Sequence, residues 1–167
     1  MPRHAPLPGL QVHRVRIVFP VGLLATAVVF DLIDIATNTG AFAVPAYWLI
    51  AAGWVGGLAA ASFGFADWLR IPQGAPARWI GAFHGIGTVV ALALFALSWL
   101  LRDVEGSVPV AALAMSVTGG LVLLFTASLG GVLVRRFGIG AGAEPAFDGA
   151  NSTSFEESVS HPAMRAR

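Results

Sequence analysis

The chain predicts an all-α fold: an integral membrane four-helix bundle with both termini on the cytoplasmic side. Three observations carry this expectation. There are four long apolar runs, the composition is too apolar for a surface facing water, and arginine is distributed one-sidedly around the runs. The runs are Ile17–Ala36, Ala46–Ala66, Trp79–Leu101 and Val108–Val134. At a rise of about 1.5 Å per residue, about 20 residues cross a hydrocarbon core roughly 30 Å thick, and a helix satisfies its own backbone on the way.

Hydrophobic residues make up 56% of the 167 and charged residues only 11%, with a mean hydropathy of +0.76. That balance suits a small bundle solvated by lipid. Cysteine is absent, which excludes disulfides, thiolate metal sites and thiol nucleophiles. The net charge of +1 arises from 10 arginines against 9 acids, with no lysine. The bases stand singly or in pairs around the spans, so no nucleic-acid-binding patch is expected.

With an even number of spans the two termini share a side. That side holds Arg3, Arg14, Arg16, Arg70, Arg78, Arg135, Arg136, Arg165 and Arg167, against Arg102 alone on the other. The positive-inside rule puts both termini in the cytoplasm. The chain then divides into a cytoplasmic N-terminal segment, 1–16, a transmembrane domain, 17–136, and a flexible cytoplasmic tail, 137–167. A cleaved signal peptide ending at Ala41-Phe42-Ala43 fits poorly, because the first run is longer than an ordinary signal core and carries Asp31 and Asp34.

In the first span, Pro20 is expected at or near the helix entry, where its missing N–H costs nothing. Asp31 and Asp34 lie three apart on one face near the non-cytoplasmic end. They read as a solvated helix exit or as a polar cluster, with Asp31 the deeper of the two. The second span carries Gly53, Gly57 and Ala61 four apart, a stripe that lets helices approach closely, and Gly81 and Gly85 offer another in the third. The tryptophans cluster near span ends and suit interfacial anchoring. The fourth span is long and contains Gly119-Gly120 and Gly130-Gly131, and a tail rich in Gly, Ala, Ser and acids follows it.

Polar side chains converge at the cytoplasmic rim. Asp67 ends the second span, Arg70 and Arg78 flank the turn Ile71-Pro72-Gln73-Gly74, His84 lies inside the third span, and His13 arrives on the same side. Three readings compete. His84 is a packing residue donating to a backbone carbonyl or to Asp67, with the arginines on lipid headgroups; or His84 and His13 bind a haem such as haem b; or His84, Asp67 and His13 hold a metal or relay protons. No metalloprotease, P-loop, nucleophile-elbow or dinucleotide motif is present, so no catalytic residues are assigned.

The residues resemble the DUF2231 family of small four-span bacterial membrane proteins over about 10–140. The resemblance rests on His13 with Phe19-Pro20, Phe30-Asp31-Leu32, the Ala-Ala-Gly-x-x-Gly-Gly pattern at 51–57, Asp67-Trp68 with Ile71-Pro72, His84, and Leu129-Gly130-Gly131. The family pattern resembled at the start reads His-Pro-x-x-Val-His-Phe-Pro. Here Arg14 replaces the proline and Val18 the second histidine, which removes one ligand from any site that histidine serves in relatives. The resemblance implies the fold and topology and no established activity. The expected function is a structural or accessory subunit of the bacterial cytoplasmic (inner) membrane, packing laterally against itself or other membrane subunits. The alternative is a haem- or metal-binding redox protein using His84 and His13.

Overall fold

The computed structural model describes residues 9–104 and 106–137, with side chains from residue 18 onward. Four helices account for nearly all of them: α1, Gly9–Thr37; α2, Ala43–Leu69; α3, Pro76–Leu100; and α4, Val110–Phe137. Each contains a stretch long and apolar enough to cross a membrane. The helices form two antiparallel hairpins, α1 with α2 and α3 with α4. α2 packs on α3 and α1 on α4, so α1 and α3 stand at opposite corners.

The ends differ from the apolar runs in instructive ways. α1 begins at Gly9, well before the first run, so Pro20 lies inside the helix instead of at its entry. Proline there leaves one carbonyl without its helical donor. The ring is buried, and Gly56 of α2 provides the room, since a Cβ at that position would fall 3.2 Å from Pro20 Cβ. α2 and α4 each run three residues past their apolar runs, to Leu69 and Phe137. The tail beyond Phe137 lies outside the described residues.

Turn chemistry joins the helices where the sequence allows it. Between α1 and α2 the chain reverses through Asn38 and Gly40, at φ 51° and 69°, a left-handed conformation that Asn and Gly tolerate best. Between α2 and α3, Gly74 takes φ 92°, and Pro76 opens α3 at a position where its missing N–H has no helical partner to lose.

Two clusters fill the bundle. Leu24, Ala27, Ile50, Ala91, Leu92, Phe95 and Leu123 form the larger, and Ile71, Ala77, Leu133 and Phe137 close one end beneath Trp68. The outside is apolar, with Val18, Trp48, Trp79, Phe83, Leu124 and Phe125 all exposed, and it contacts lipid. Since lipid tails are as apolar as leucine, helix association here depends on close packing and interhelical bonds more than on the hydrophobic effect.

Glycine supplies part of that closeness. A Cβ at Gly53 would meet Leu24 Cγ at 2.7 Å, one at Gly57 would meet Leu92 Cδ2 at 2.7 Å, and one at Gly81 would meet Trp68 Cδ1 at 2.8 Å. Ala61 packs at the margin of the larger cluster. Gly85 differs: nothing lies within 4 Å of its Cβ position, so that member of the third-span pair faces away from the bundle.

Candidate functional site

Two polar places interrupt the apolar bundle, one toward each end. At the end carrying Arg102, Asp31 is fully buried, and Arg102 follows the C-terminus of α3 with its side chain only 3% exposed. Arg102 Nη1 and Nη2 each donate to one carboxylate oxygen of Asp31 at 2.6 Å, the bidentate fork in which guanidinium and carboxylate match best. Ser116 Oγ donates to Asp31 Oδ2 at 2.9 Å. Ser98, in the last turn of α3 and four residues before Arg102, accepts from Arg102 Nη2 at 3.0 Å and donates to the Ala112 carbonyl at 2.7 Å. The network ties α1, the end of α3 and α4 together.

The chemistry of this knot is mainly mechanical. Moving either charge out of water costs several kcal/mol, and only near-ideal geometry with saturated lone pairs offsets it. The fork supplies that geometry and Ser116 a third bond to the carboxylate, and removing one partner would leave the other charge stranded. Asp34, one turn further along α1 and also buried, has a different role. Its Oδ1 accepts the Phe42 N–H at 3.0 Å, which fixes the entry of α2. Of the two readings open for these aspartates, the polar cluster describes Asp31 and a loop clamp describes Asp34.

At the opposite end, Asp67 accepts from Arg70 at 3.2 Å on the surface. Arg78 donates to the Ile71 carbonyl at 2.6 Å and lies 4.5 Å over the Trp68 ring, whose Nε1 donates to the Arg78 carbonyl at 3.0 Å. These contacts brace the α2–α3 turn. Trp68 thus acts in packing, as does Trp54, which donates to the Leu92 carbonyl at 3.1 Å, whereas Trp48 and Trp79 project outward.

His84 is half-buried inside α3, about 12 Å along the axis from Pro76. Its Nδ1 lies 2.8 Å from the Thr126 carbonyl of α4. A carbonyl only accepts, so Nδ1 carries the hydrogen. The bond goes to the backbone and not to Asp67. The ring rests on Gly130, where a Cβ would fall 3.1 Å from Cε1 and 3.4 Å from Nδ1. One turn along α3, Gly87 admits the Thr126 methyl.

Among the described residues, no three His, Asp or Glu side chains converge as a metal site would require. His13 belongs to α1, and its side chain lies outside the described residues. Sequence reasoning missed two partners. Arg102 was legible as the lone base on its side, and its spacing of four from Ser98 was the available clue to an inward face. Gly130 was visible only as part of a glycine pair.

The family model described as predicted membrane protein (DUF2231) matches residues 9–143, which include all four helices. The chain matches no curated protein and no solved structure.

Proposed function

The chain belongs to the DUF2231 family of predicted membrane proteins, and on that premise we infer that it is a structural or accessory subunit that packs laterally in a membrane protein complex. The reading places it in the bacterial cytoplasmic membrane with both termini inside, supported by the arginine bias of the loops. The observation that carries it is the use of the buried charges. Asp31 and Arg102, the most costly polar groups in the bundle, are engaged with each other and with Ser98 and Ser116 in holding three helices together. A membrane protein built this way presents its outer faces as its working surface. Those faces carry exposed small residues, Gly64 on α2 and Gly85 on α3, with open space around each.

Crosslinking in intact membranes from a photoreactive residue at position 85 or 64 tests this. Discrete adducts with a membrane protein or a second copy support the reading, and exclusive lipid adducts at both positions remove it. A second reading, a haem- or metal-binding protein using His84 and His13, is favoured by one observation: the Nδ1 bond to Thr126 leaves the other ring nitrogen of His84 available.

A further inference from the structure

We propose that the acidic segment of this chain's own tail, residues 144–157, docks on the arginine rim formed by the α2–α3 turn and the end of α4. The proposal is independent of whether the outer faces bind a partner. Packing builds the rim. Ile71, Ala77, Leu133 and Phe137 form one buried cluster that holds the α2–α3 turn against the last turn of α4. Arginines adjoin three of its members in sequence: Arg70 precedes Ile71, Arg78 follows Ala77, and Arg135 and Arg136 precede Phe137. The cluster therefore gathers four arginines at one end of the bundle. Asp67, bonded to Arg70 at 3.2 Å, is the one carboxylate at that end among the described residues. Arg135 and Arg136 are exposed and pair with no carboxylate among the described residues. A rim so dominated by one sign attracts the other.

The sequence supplies the complement on the same chain. Glu144, Asp148, Glu156 and Glu157 follow α4, and no arginine or lysine falls between Phe137 and Glu157. Glu144 is seven residues beyond Phe137, a reach of at most about 25 Å. Neighbouring helices pack about 10 Å apart, so that reach spans the rim. Gly138, Gly140 and Gly142 within the stretch admit the backbone conformations that a reversal needs. The apolar pattern matches as well. Leu69 and Trp79, 57% and 71% exposed, adjoin Arg70 and Arg78, while Phe147 adjoins Asp148 and Phe155 adjoins Glu156. Carboxylates can meet guanidinium groups while phenyl rings meet the leucine and indole beside them. Tethering to α4 adds an effective concentration that a separate acidic peptide or a lipid headgroup lacks. That favours the chain's own tail as the occupant.

Paramagnetic broadening in the full chain tests this. A nitroxide on A150C, between the two acidic groups, is read against backbone amides in nanodiscs of zwitterionic phosphatidylcholine. The chain has no other cysteine, so the label is unique. Broadening is expected at Gln73 and Gly74 of the α2–α3 turn and not at Asn38 and Gly40, in the turn at the far end of the bundle. It should fall several-fold in the tail variant E144Q/D148N/E156Q/E157Q, in the rim variant R70Q/R135Q/R136Q, and in about 0.5 M salt, where exposed charges are screened within a few ångströms. Arg78 is left in place because its bond to the Ile71 carbonyl braces the turn. Far-UV circular dichroism reports folding. If the rim variant misfolds, the tail variant and the salt series, which leave every residue of the bundle intact, decide the matter. Broadening at Gln73 and Gly74 that neither the tail variant nor salt reduces reflects the tether alone and overturns the docking. Broadening seen on nitroxide-free chains mixed with labelled ones assigns the contact to a second copy and overturns the commitment to the chain's own rim.

Discussion

Replacing Arg102 with methionine tests the mechanical role of the buried ion pair. The variant removes both 2.6 Å donors from Asp31 and leaves only the Ser116 hydroxyl against a carboxylate with no solvent exposure. Breaking one side of a buried pair costs about 3–5 kcal/mol, equivalent to roughly two to four decades in the folding equilibrium. The opposite single change, Asp31→Leu, should cost less, about 1–3 kcal/mol, because Arg102 lies just beyond α3 and its long side chain can turn toward the interface. The double variant should be more stable than Arg102→Met alone, since two apolar side chains fill the site without a stranded charge. Reversible unfolding in mixed micelles, followed by circular dichroism, measures all three. Arg102→Met within about 0.5 kcal/mol of wild type, or a double variant equal to the sum of the singles, would refute the reasoning.

Other outcomes follow from the same geometry. Gly57→Leu drives a side chain into Leu92 and should destabilise the bundle by about 1–3 kcal/mol or more, while Gly85→Leu, with open space around it, should leave the stability of the isolated chain unchanged; unfolding midpoints of the two variants separate these cases. Asp34→Ala removes the acceptor of the Phe42 N–H and should cost about 1.5–3 kcal/mol, with faster hydrogen exchange at the start of α2. Because the chain has no cysteine of its own, single cysteines at Ala41 and Ala150 report topology directly: labelling by an impermeant reagent from outside should reach position 41 and not position 150.

The four spans were legible because length and hydropathy are local properties, and lipid demands both of any crossing helix. Helix ends were less so. The helical backbone of α1 continues upstream of its apolar run to Gly9, and nothing in the hydropathy of Ile17–Ala36 announces that continuation or places Pro20 against Gly56. The depth of Asp31 could be read from its position, but its partner is 71 residues away and no local pattern joins the two. For the glycine stripes, spacing revealed which positions share a face without revealing the neighbour, so Gly81 and Gly85 looked alike although Trp68 covers only the first. His84 stood out as an ionisable residue within a span. Its partner is a backbone carbonyl, which any residue type supplies, so the Thr126 contact left no side-chain signature beyond the small residue at Gly130.

The central claim, that this bundle works through its outer faces as a subunit of something larger, is tested most directly by native mass measurement of the chain released gently from its own membrane. The account predicts a defined assembly, with a second copy or another membrane protein at fixed stoichiometry, that dissociates in Gly85→Leu while the chain itself remains folded. A single chain carrying only lipid, unchanged by that substitution, would contradict it.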